Sequence, residues 1–235
     1  MVLRAWQRNP GRTPSRRHGH SGNWGFQVPF LLKSGFRVVL IDSRGHGRST
    51  RDERPFSYQL MASDVVAILD ALRIERAFLV GWSDGACTAM VLGAKLPARV
   101  KGVFFFACNM DPKGLKPFEN TPILDRCFAR HQKDYTALSL TPHCFQNLVS
   151  DLSPMQSTQP DYSEEDLGNF QVPVTIAQSE HDEFIRREHA EYLARSIPNA
   201  QYRLLEGVSH FAPLQRPARF NAALIEFLQG SNQST

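Results

Sequence analysis

One stretch of the chain reads Ala77-Phe78-Leu79-Val80-Gly81-Trp82-Ser83-Asp84-Gly85. Its apolar first half is typical of a strand covered on both faces, and the residues from Ala86 to Leu96 have a pattern typical of a helix. Serine therefore lies at the centre of a tight strand-to-helix turn bounded by glycine. Such a turn holds the hydroxyl clear of the main chain and directs the first N–H groups of the helix toward the space above it. The stretch predicts Ser83 as a nucleophile, with a simple helix cap as the alternative role.

Two loops downstream carry the groups that a serine nucleophile needs. A hydroxyl requires a base within hydrogen-bond reach, and the base requires a third group to orient it. The apolar run Val172 to Ala177 is followed by Asp182, and the run Ala200 to Leu205 is followed by His210. Because the carboxyl ends of parallel strands meet at one edge of a sheet, both side chains are expected at the same edge as the serine. The chain order serine, aspartate, histidine therefore predicts a catalytic triad.

Four pieces of the sequence together resemble the α/β-hydrolase superfamily over about residues 24 to 229. They are Asp42-Ser43-Arg44-Gly45-His46-Gly47-Arg48-Ser49 after the strand candidate Phe36 to Ile41, the glycine-bounded turn at 81–85, Glu180-His181-Asp182, and Gly207-Val208-Ser209-His210. Within that superfamily the chain is similar to small esterases and lactonases of the valacyclovir-hydrolase and enol-lactonase kind. The resemblance implies an α/β fold, with a mostly parallel sheet flanked by helices and a small helical lid inserted over the nucleophile.

The same resemblance implies hydrolysis of small carboxylic esters or lactones through an acyl-enzyme, with no metal and no organic cofactor. Ser83 would attack the acyl carbonyl, His210 would transfer the proton, and Asp182 would orient the imidazole. The backbone N–H of Asp84 would face the oxyanion, while its carboxylate is expected to cap the following helix.

Other polar residues receive weaker assignments. Asp111, after the apolar run Val100 to Ala107, is an alternative position for the acid. His46 is expected to shape a glycine loop near the site, and His181 and His189 are expected on the surface.

The strand–helix alternation predicts three parts: an irregular basic segment over 1–23, an α/β core over 24–108 and 171–230, and a lid over 109–170. Six prolines interrupt the lid region, which still contains short helical patterns. Lids of this kind supply apolar walls and set substrate choice. The candidate wall residues are Phe118, Leu124, Phe128, Tyr135, Leu138 and Phe145.

Composition excludes several classes of partner. The formal charge of +4 includes five arginines in the first 17 residues, and subtracting them leaves −1, so a nucleic-acid surface is not indicated. No run approaches the roughly 20 apolar residues of a membrane span. Without a secretory pattern, the sequence predicts a cytoplasmic protein whose four cysteines (87, 108, 127 and 144) are free thiols. The expected partner is a small-molecule substrate.

The N-terminal region departs from the family pattern. Family members have a central strand that ends in His-Gly, and the following loop supplies the second oxyanion donor. The segment His18 to Trp24 looks like a remnant of that loop, but residues 1–17 contain no apolar strand. The sequence therefore predicts a gap beside the nucleophile strand, arising from a misplaced start or a frameshift, a degenerate copy, or a rearranged edge. His18 and His20 have no partner at a metal-ligand spacing, so they are assigned to the loop.

Three functions remain open from sequence. The first is a cofactor-free hydrolase of small esters or lactones. The second is a catalytically silent protein of the same fold that binds a ligand. The third is the same serine machinery used as a peroxide-dependent perhydrolase.

Overall fold

The computed structural model describes residues 2–5 and 20–230, which form a six-stranded sheet with helices packed on both faces. The strands are β1 (Val2–Ala5), β2 (Arg37–Leu40), β3 (Ala77–Trp82), β4 (Val100–Phe106), β5 (Val174–His181) and β6 (Ala200–Ser209). The helices are α1 (Gln27–Lys33), α2 (Tyr58–Ala71), α3 (Asp84–Lys95), α4 (Pro122–Leu138), α5 (Phe145–Thr158), α6 (Glu164–Gly168), α7 (Arg187–Ser196), α8 (Ala212–Gln215) and α9 (Pro217–Gly230). Short 3₁₀ turns lie at His20–Trp24, Pro97–Arg99 and Pro112–Gly114.

Four consecutive strands, β3 to β6, are parallel neighbours, as the continuous apolar runs predicted. The sheet order is β2-β1-β3-β4-β5-β6, and connections through helices bring the carboxyl ends of β3, β5 and β6 to one edge. The predicted α/β-hydrolase sheet flanked by helices is confirmed.

The strand beside β3 corrects the expectation of a gap. Strand β1 pairs antiparallel with β2 on one side and with β3 on the other. Leu3 lies opposite Val39 in the first ladder and opposite Leu79 in the second. The physical reason is that β2 and β3 would otherwise present unpaired N–H and C=O groups to each other, and any four-residue extended segment can satisfy them. Residue 1 and residues 6–19 of the predicted basic segment lie outside the described residues.

Two apolar layers cover the sheet. On one face, α2, α3 and α7 bury residues such as Leu69, Leu92 and Leu193. On the other face, α1 and α9 pack against phenylalanine side chains of the strands. The rings of Phe104 and Phe220 meet edge to face with centroids 5.5 Å apart, a favourable aromatic geometry. These layers hold the strands, and therefore the loops at their carboxyl ends, in fixed positions.

Helices α4, α5 and α6 lie between β4 and β5, in the region assigned to the lid. The rings of Tyr135 on α4 and Phe145 on α5 have centroids 5.5 Å apart. Arg51, in the loop after β2, forms a 2.6 Å ion pair with Asp151 on α5. The helices after β4 are thus attached to the core by a polar contact as well as by apolar packing.

The cysteines depart from expectation in one respect. Cys87 on α3 and Cys108 after β4 form a disulfide, with their Cα atoms 6.5 Å apart, so the prediction of four free thiols is wrong for this pair. The two residues are 21 positions apart, and only the meeting of α3 with the end of β4 brings them together. Cys127 and Cys144 are free, as predicted. Across residues 2–5 and 20–230, no helix combines the length and the apolar composition that crossing a bilayer would require.

Candidate active site

The turn after β3 has the strained geometry that its glycines predicted. Ser83 has φ 54° and ψ −131°, in a region that residues with side chains rarely adopt. A Cβ on Gly81 would lie 2.4 Å from the Cα of Ala86, so the close return of the chain requires glycine there. Ser83 precedes α3 but its side chain makes no capping hydrogen bond, so the helix-cap alternative is wrong. The strain holds the Ser83 hydroxyl away from the helix end.

Asp182 and His210 are in contact at the carboxyl ends of β5 and β6. Nδ1 of His210 lies 3.1 Å from Oδ1 and 3.2 Å from Oδ2 of Asp182. The backbone N–H groups of Phe184 and Ile185 donate to Oδ1 at 3.0 and 2.9 Å. Burial acts to raise the pKa of Asp182, but the charge and hydrogen bond of His210 and the two N–H groups outweigh it, so the pKa lies below its ordinary value. Asp182 is therefore an ionised acceptor for the imidazole.

The imidazole of His210 is held in an aromatic cage. Its ring centroid lies 4.8 Å from that of Phe184, 5.5 Å from that of Phe211 and 6.0 Å from that of Trp82. Since the carboxylate accepts at Nδ1, the neutral ring carries its proton there and leaves Nε2 as a base. His210 and Ser83 line one cavity without a direct hydrogen bond between them. Such bonds often tighten only when substrate is bound.

The cavity has a volume of about 420 Å³ and mostly apolar walls. Of the six predicted wall residues, four line it: Leu124, Phe128, Tyr135 and Phe145. Phe118 is 63% exposed and points elsewhere, and Leu138 is also outside the lining. A periodic pattern of apolar residues predicts where a helix lies. Which of its faces lines the cavity depends on how the helix packs against the rest of the protein.

The carboxylate of Asp84 does not cap α3, contrary to expectation. Its Oδ1 accepts a 2.7 Å hydrogen bond from Tyr58 on α2, and its Oδ2 accepts a 2.8 Å bond from Gln156 on α5. Burial, together with the neighbouring Asp84 charge and hydrogen bond, raises the pKa of Tyr58, which therefore stays a protonated donor. The partners are 26 and 72 positions away along the chain, so no local pattern indicated them.

The acid loop is anchored from two sides. Lys116, ahead of the lid helices, donates to the carbonyl of Asp182 at 2.6 Å. The N–H of His210 donates to Glu183 at 2.9 Å. Both bonds restrict the loops that carry the aspartate and the histidine, which favours a constant distance between them.

The alternative acid lies elsewhere. Asp111 is 3.8 Å from His189 rather than beside His210. His189 is 7% exposed and accepts a 3.0 Å bond from the N–H of Met110, so its predicted surface position is wrong. Its helix α7 packs against the 3₁₀ turn at Pro112–Gly114, which covers it. His181 is exposed, as predicted.

Sequence reasoning assigned no role to several polar residues of the cavity wall, among them Asn23, Tyr58, Asn109, His131 and Gln156. Asn23 lies in the turn His20–Trp24, which is the described part of the segment that resembled an oxyanion loop. Its position in that segment was the only sequence feature that could have indicated a role in the site. His46, expected to shape its loop, does so through a 3.0 Å contact between Nδ1 and the carbonyl of Arg44, and it also lines the cavity.

Comparison with known proteins places the chain in a family. The model of the α/β hydrolase family matches residues 17–223. Serine hydrolase BPHL of Mus musculus is 26% identical over 213 residues, spanning 86% of this chain and 73% of its own length. Putative carbamate hydrolase RutD of Caulobacter sp. (strain K31) is 28% identical over 236 residues, spanning 90% and 88%.

Solved structures give the same result. Est816, described as an N-acyl homoserine lactone degrading enzyme, is 27% identical with a TM-score of 0.64, covering 88% of each chain. The enol-lactonase from Burkholderia xenovorans LB400 is 21% identical with a TM-score of 0.67, covering 97% of this chain and 96% of its own, and shows the fold alone. The chain belongs to the α/β hydrolase family and is a hydrolytic enzyme.

Proposed function

We propose that the protein hydrolyses small carboxylic esters or lactones through an acyl-enzyme formed on Ser83. The observation that carries the proposal is the 3.1 Å contact between His210 Nδ1 and Asp182, made at the cavity that Ser83 also lines. A buried imidazole with an ionised carboxylate at one nitrogen and a hydroxyl in the same cavity is the arrangement required for general-base activation of serine.

The three residues have distinct roles in the proposed reaction. The Ser83 Oγ attacks the acyl carbonyl while Nε2 of His210 takes the hydroxyl proton. The imidazolium, stabilised by Asp182, then gives that proton to the departing alcohol oxygen. Water attacks the acyl-enzyme in the second half, with His210 again as the base, and the acid and free Ser83 are released. A lactone follows the same course but remains one molecule.

The developing oxyanion is assigned to the N–H of Asp84. This residue is the first of α3, and the first N–H groups of a helix have no acceptor within the helix. The partial positive charge of the helix end adds to the stabilisation. The proposed lid over 109–170 supplies apolar wall residues of the same cavity, which limit the access of bulk water to the reacting groups while one water molecule is still admitted for the second half-reaction.

The cavity volume of about 420 Å³ lies near the lower end for small-molecule sites, which favours a small substrate. The names of two relatives support the proposal: Est816 is described as an N-acyl homoserine lactone degrading enzyme, and BPHL is named a serine hydrolase. The proposed partner is therefore a small ester or lactone.

The test is labelling with a fluorophosphonate probe, combined with turnover of p-nitrophenyl acetate. We expect the wild type to be labelled and Ser83→Ala to be neither labelled nor active. Ser153→Ala, an exposed serine on α5, is the matched control and should behave as wild type. A folded wild type that takes no label and turns over no ester would refute the proposal and leave the ligand-binding alternative.

The cytoplasmic location stays a prediction. The disulfide between Cys87 and Cys108 weighs against it, because such bonds persist mainly in oxidising compartments.

A further inference from the structure

Two histidines in the cavity wall have no part in the proposed mechanism. His46 comes from the loop after β2, and His131 comes from α4. Both rings are half-buried in walls that are otherwise mainly apolar. Neutral imidazole offers one donor and one acceptor, and a bound molecule that displaces water from them is favoured when it supplies a hydrogen-bond partner. The pair is therefore suited to meet a polar group of a bound molecule.

The hydrogen bond of His46 fixes which nitrogen is available. Its Nδ1 lies 3.0 Å from the carbonyl oxygen of Arg44. A carbonyl can only accept, so the proton is on Nδ1 and the neutral ring keeps a lone pair at Nε2. His46 therefore offers the cavity an acceptor.

His131 offers the complementary group. Among residues 2–5 and 20–230, no hydrogen bond is made to its ring nitrogens. Burial lowers the pKa of His131, and the nearby charges of His46, Arg130 and His210 lower it further, while Asp134 acts in the opposite direction. The ring is therefore neutral at neutral pH and can turn an N–H toward a ligand.

The geometry points to His46 and His131 as specificity-determining residues that bind a neutral hydroxyl group of the substrate, at a position separate from the scissile carbonyl. One hydroxyl can donate to Nε2 of His46 and accept from the N–H of His131. The inference rests on the proposed ester or lactone hydrolysis and narrows its substrate class to hydroxylated compounds. The lone pair at Nε2 of His46 cannot donate to a carboxylate oxygen, and an apolar chain would leave both rings without a polar partner.

The experiment uses pairs of esters in which a terminal hydroxyl replaces a terminal methyl. The acyl pair is p-nitrophenyl 6-hydroxyhexanoate and p-nitrophenyl heptanoate. The alcohol pair is 4-hydroxybutyl butanoate and pentyl butanoate, followed by proton release. We expect wild type to favour the hydroxylated member of at least one pair by about tenfold or more in kcat/KM, because a site built to bind a hydroxyl discriminates against its absence.

The variant His131→Phe keeps a planar ring but removes both nitrogens. We expect it to lose the preference, so that the ratio of kcat/KM between the two members of each pair falls to about one. His131→Gln, which restores a donor and an acceptor, should recover part of the preference. His143→Phe, an exposed histidine between α4 and α5, is the control and should keep it.

The outcomes separate the two proposals. Turnover of apolar esters without any hydroxyl preference in wild type would overturn this inference and leave the proposed function standing. A preference that survives in His131→Phe would also overturn it. Loss of all ester turnover in wild type would instead refute the proposed function. If His131→Phe proves unstable on heating, the wild-type preference and the Gln variant still decide the question.

Discussion

Gln156 on α5 donates a 2.8 Å hydrogen bond to the carboxylate of Asp84, the residue directly after Ser83. The other carboxylate oxygen of Asp84 is held by Tyr58 on α2. A helix of the proposed lid and the nucleophile turn are therefore joined by one polar contact at the cavity wall, so the position of α5 and the geometry of the turn depend on each other.

Gln156→Glu should weaken this connection and lower kcat/KM for p-nitrophenyl butanoate by about tenfold. It places a second carboxylate against Asp84, and two like charges at hydrogen-bond distance cannot both stay ionised without cost. Steady-state kinetics across the neutral range would show the loss growing as pH rises. Gln146→Glu adds the same charge to an exposed position of α5 and should leave kinetics unchanged. Equal effects of the two substitutions would mean that the contact does not matter.

Asn23→Ala should lower kcat by about 100-fold with little change in KM, because a donor aimed at the oxyanion acts mainly in the transition state. Asn23 lines the cavity from the turn His20–Trp24 and carries a side-chain amide that can supply the second donor beside the N–H of Asp84. Asn147→Ala, on the exposed face of α5, is the control. A change confined to KM would instead assign Asn23 to ground-state substrate binding.

His189 should make stability depend on pH. Burial lowers its pKa, while the Asp111 charge acts in the opposite direction. The ring accepts the N–H of Met110 and is neutral when folded. The unfolded chain binds more protons below about pH 6.5, so stability is retained above that value and falls as the pH drops toward the lowered pKa of the folded state.

Urea unfolding at pH of about 8 and about 5 tests this. His189→Gln keeps an acceptor for Met110 but does not titrate, so its free energy of unfolding should fall less on acidification than that of wild type. His181→Gln replaces an exposed histidine and should follow wild type. Parallel pH profiles for wild type and His189→Gln would contradict the assignment.

Replacing both Cys87 and Cys108 with alanine should lower the free energy of unfolding by roughly 3 kcal/mol, because the disulfide closes a loop of 21 positions. Dithiothreitol should lower the Tm of wild type and leave that of the double variant unchanged. The matched double variant Cys127→Ala with Cys144→Ala should keep the response to reductant. A wild-type Tm that is the same with and without dithiothreitol would contradict a disulfide between Cys87 and Cys108.

The parallel half of the sheet could be predicted because each strand carries its own signal, a continuous apolar run followed by a polar loop. The turn at Ser83 and the loops of Asp182 and His210 were predictable for the same reason, since strand ends fix where a loop begins. Strand β1 could not be predicted, because four residues are too few to show a pattern. Its pairing also depends on the unpaired edges of β2 and β3, which come later in the chain.

The contacts that shape the cavity wall were also beyond local patterns. The hydrogen bond between Asp84 and Gln156 joins positions 72 apart. The disulfide joins the start of α3 to the end of β4, and these meet only in the folded state. The burial of His189 follows from a turn that packs over it. In each case the deciding partner lies far along the chain.

Strand β1 links the two sides of the sheet through backbone hydrogen bonds of only four residues. Ile41, Ser43 and His46, which follow β2, form part of the cavity wall, whereas Ser83 follows β3. If residues 2–5 detached from the sheet, the part of the cavity wall that follows β2 would no longer be connected through backbone hydrogen bonds to the strand that carries Ser83, although each part could keep its local fold. Hydrogen exchange at the backbone amides of Val38 and Val39 would report how often β1 separates from β2.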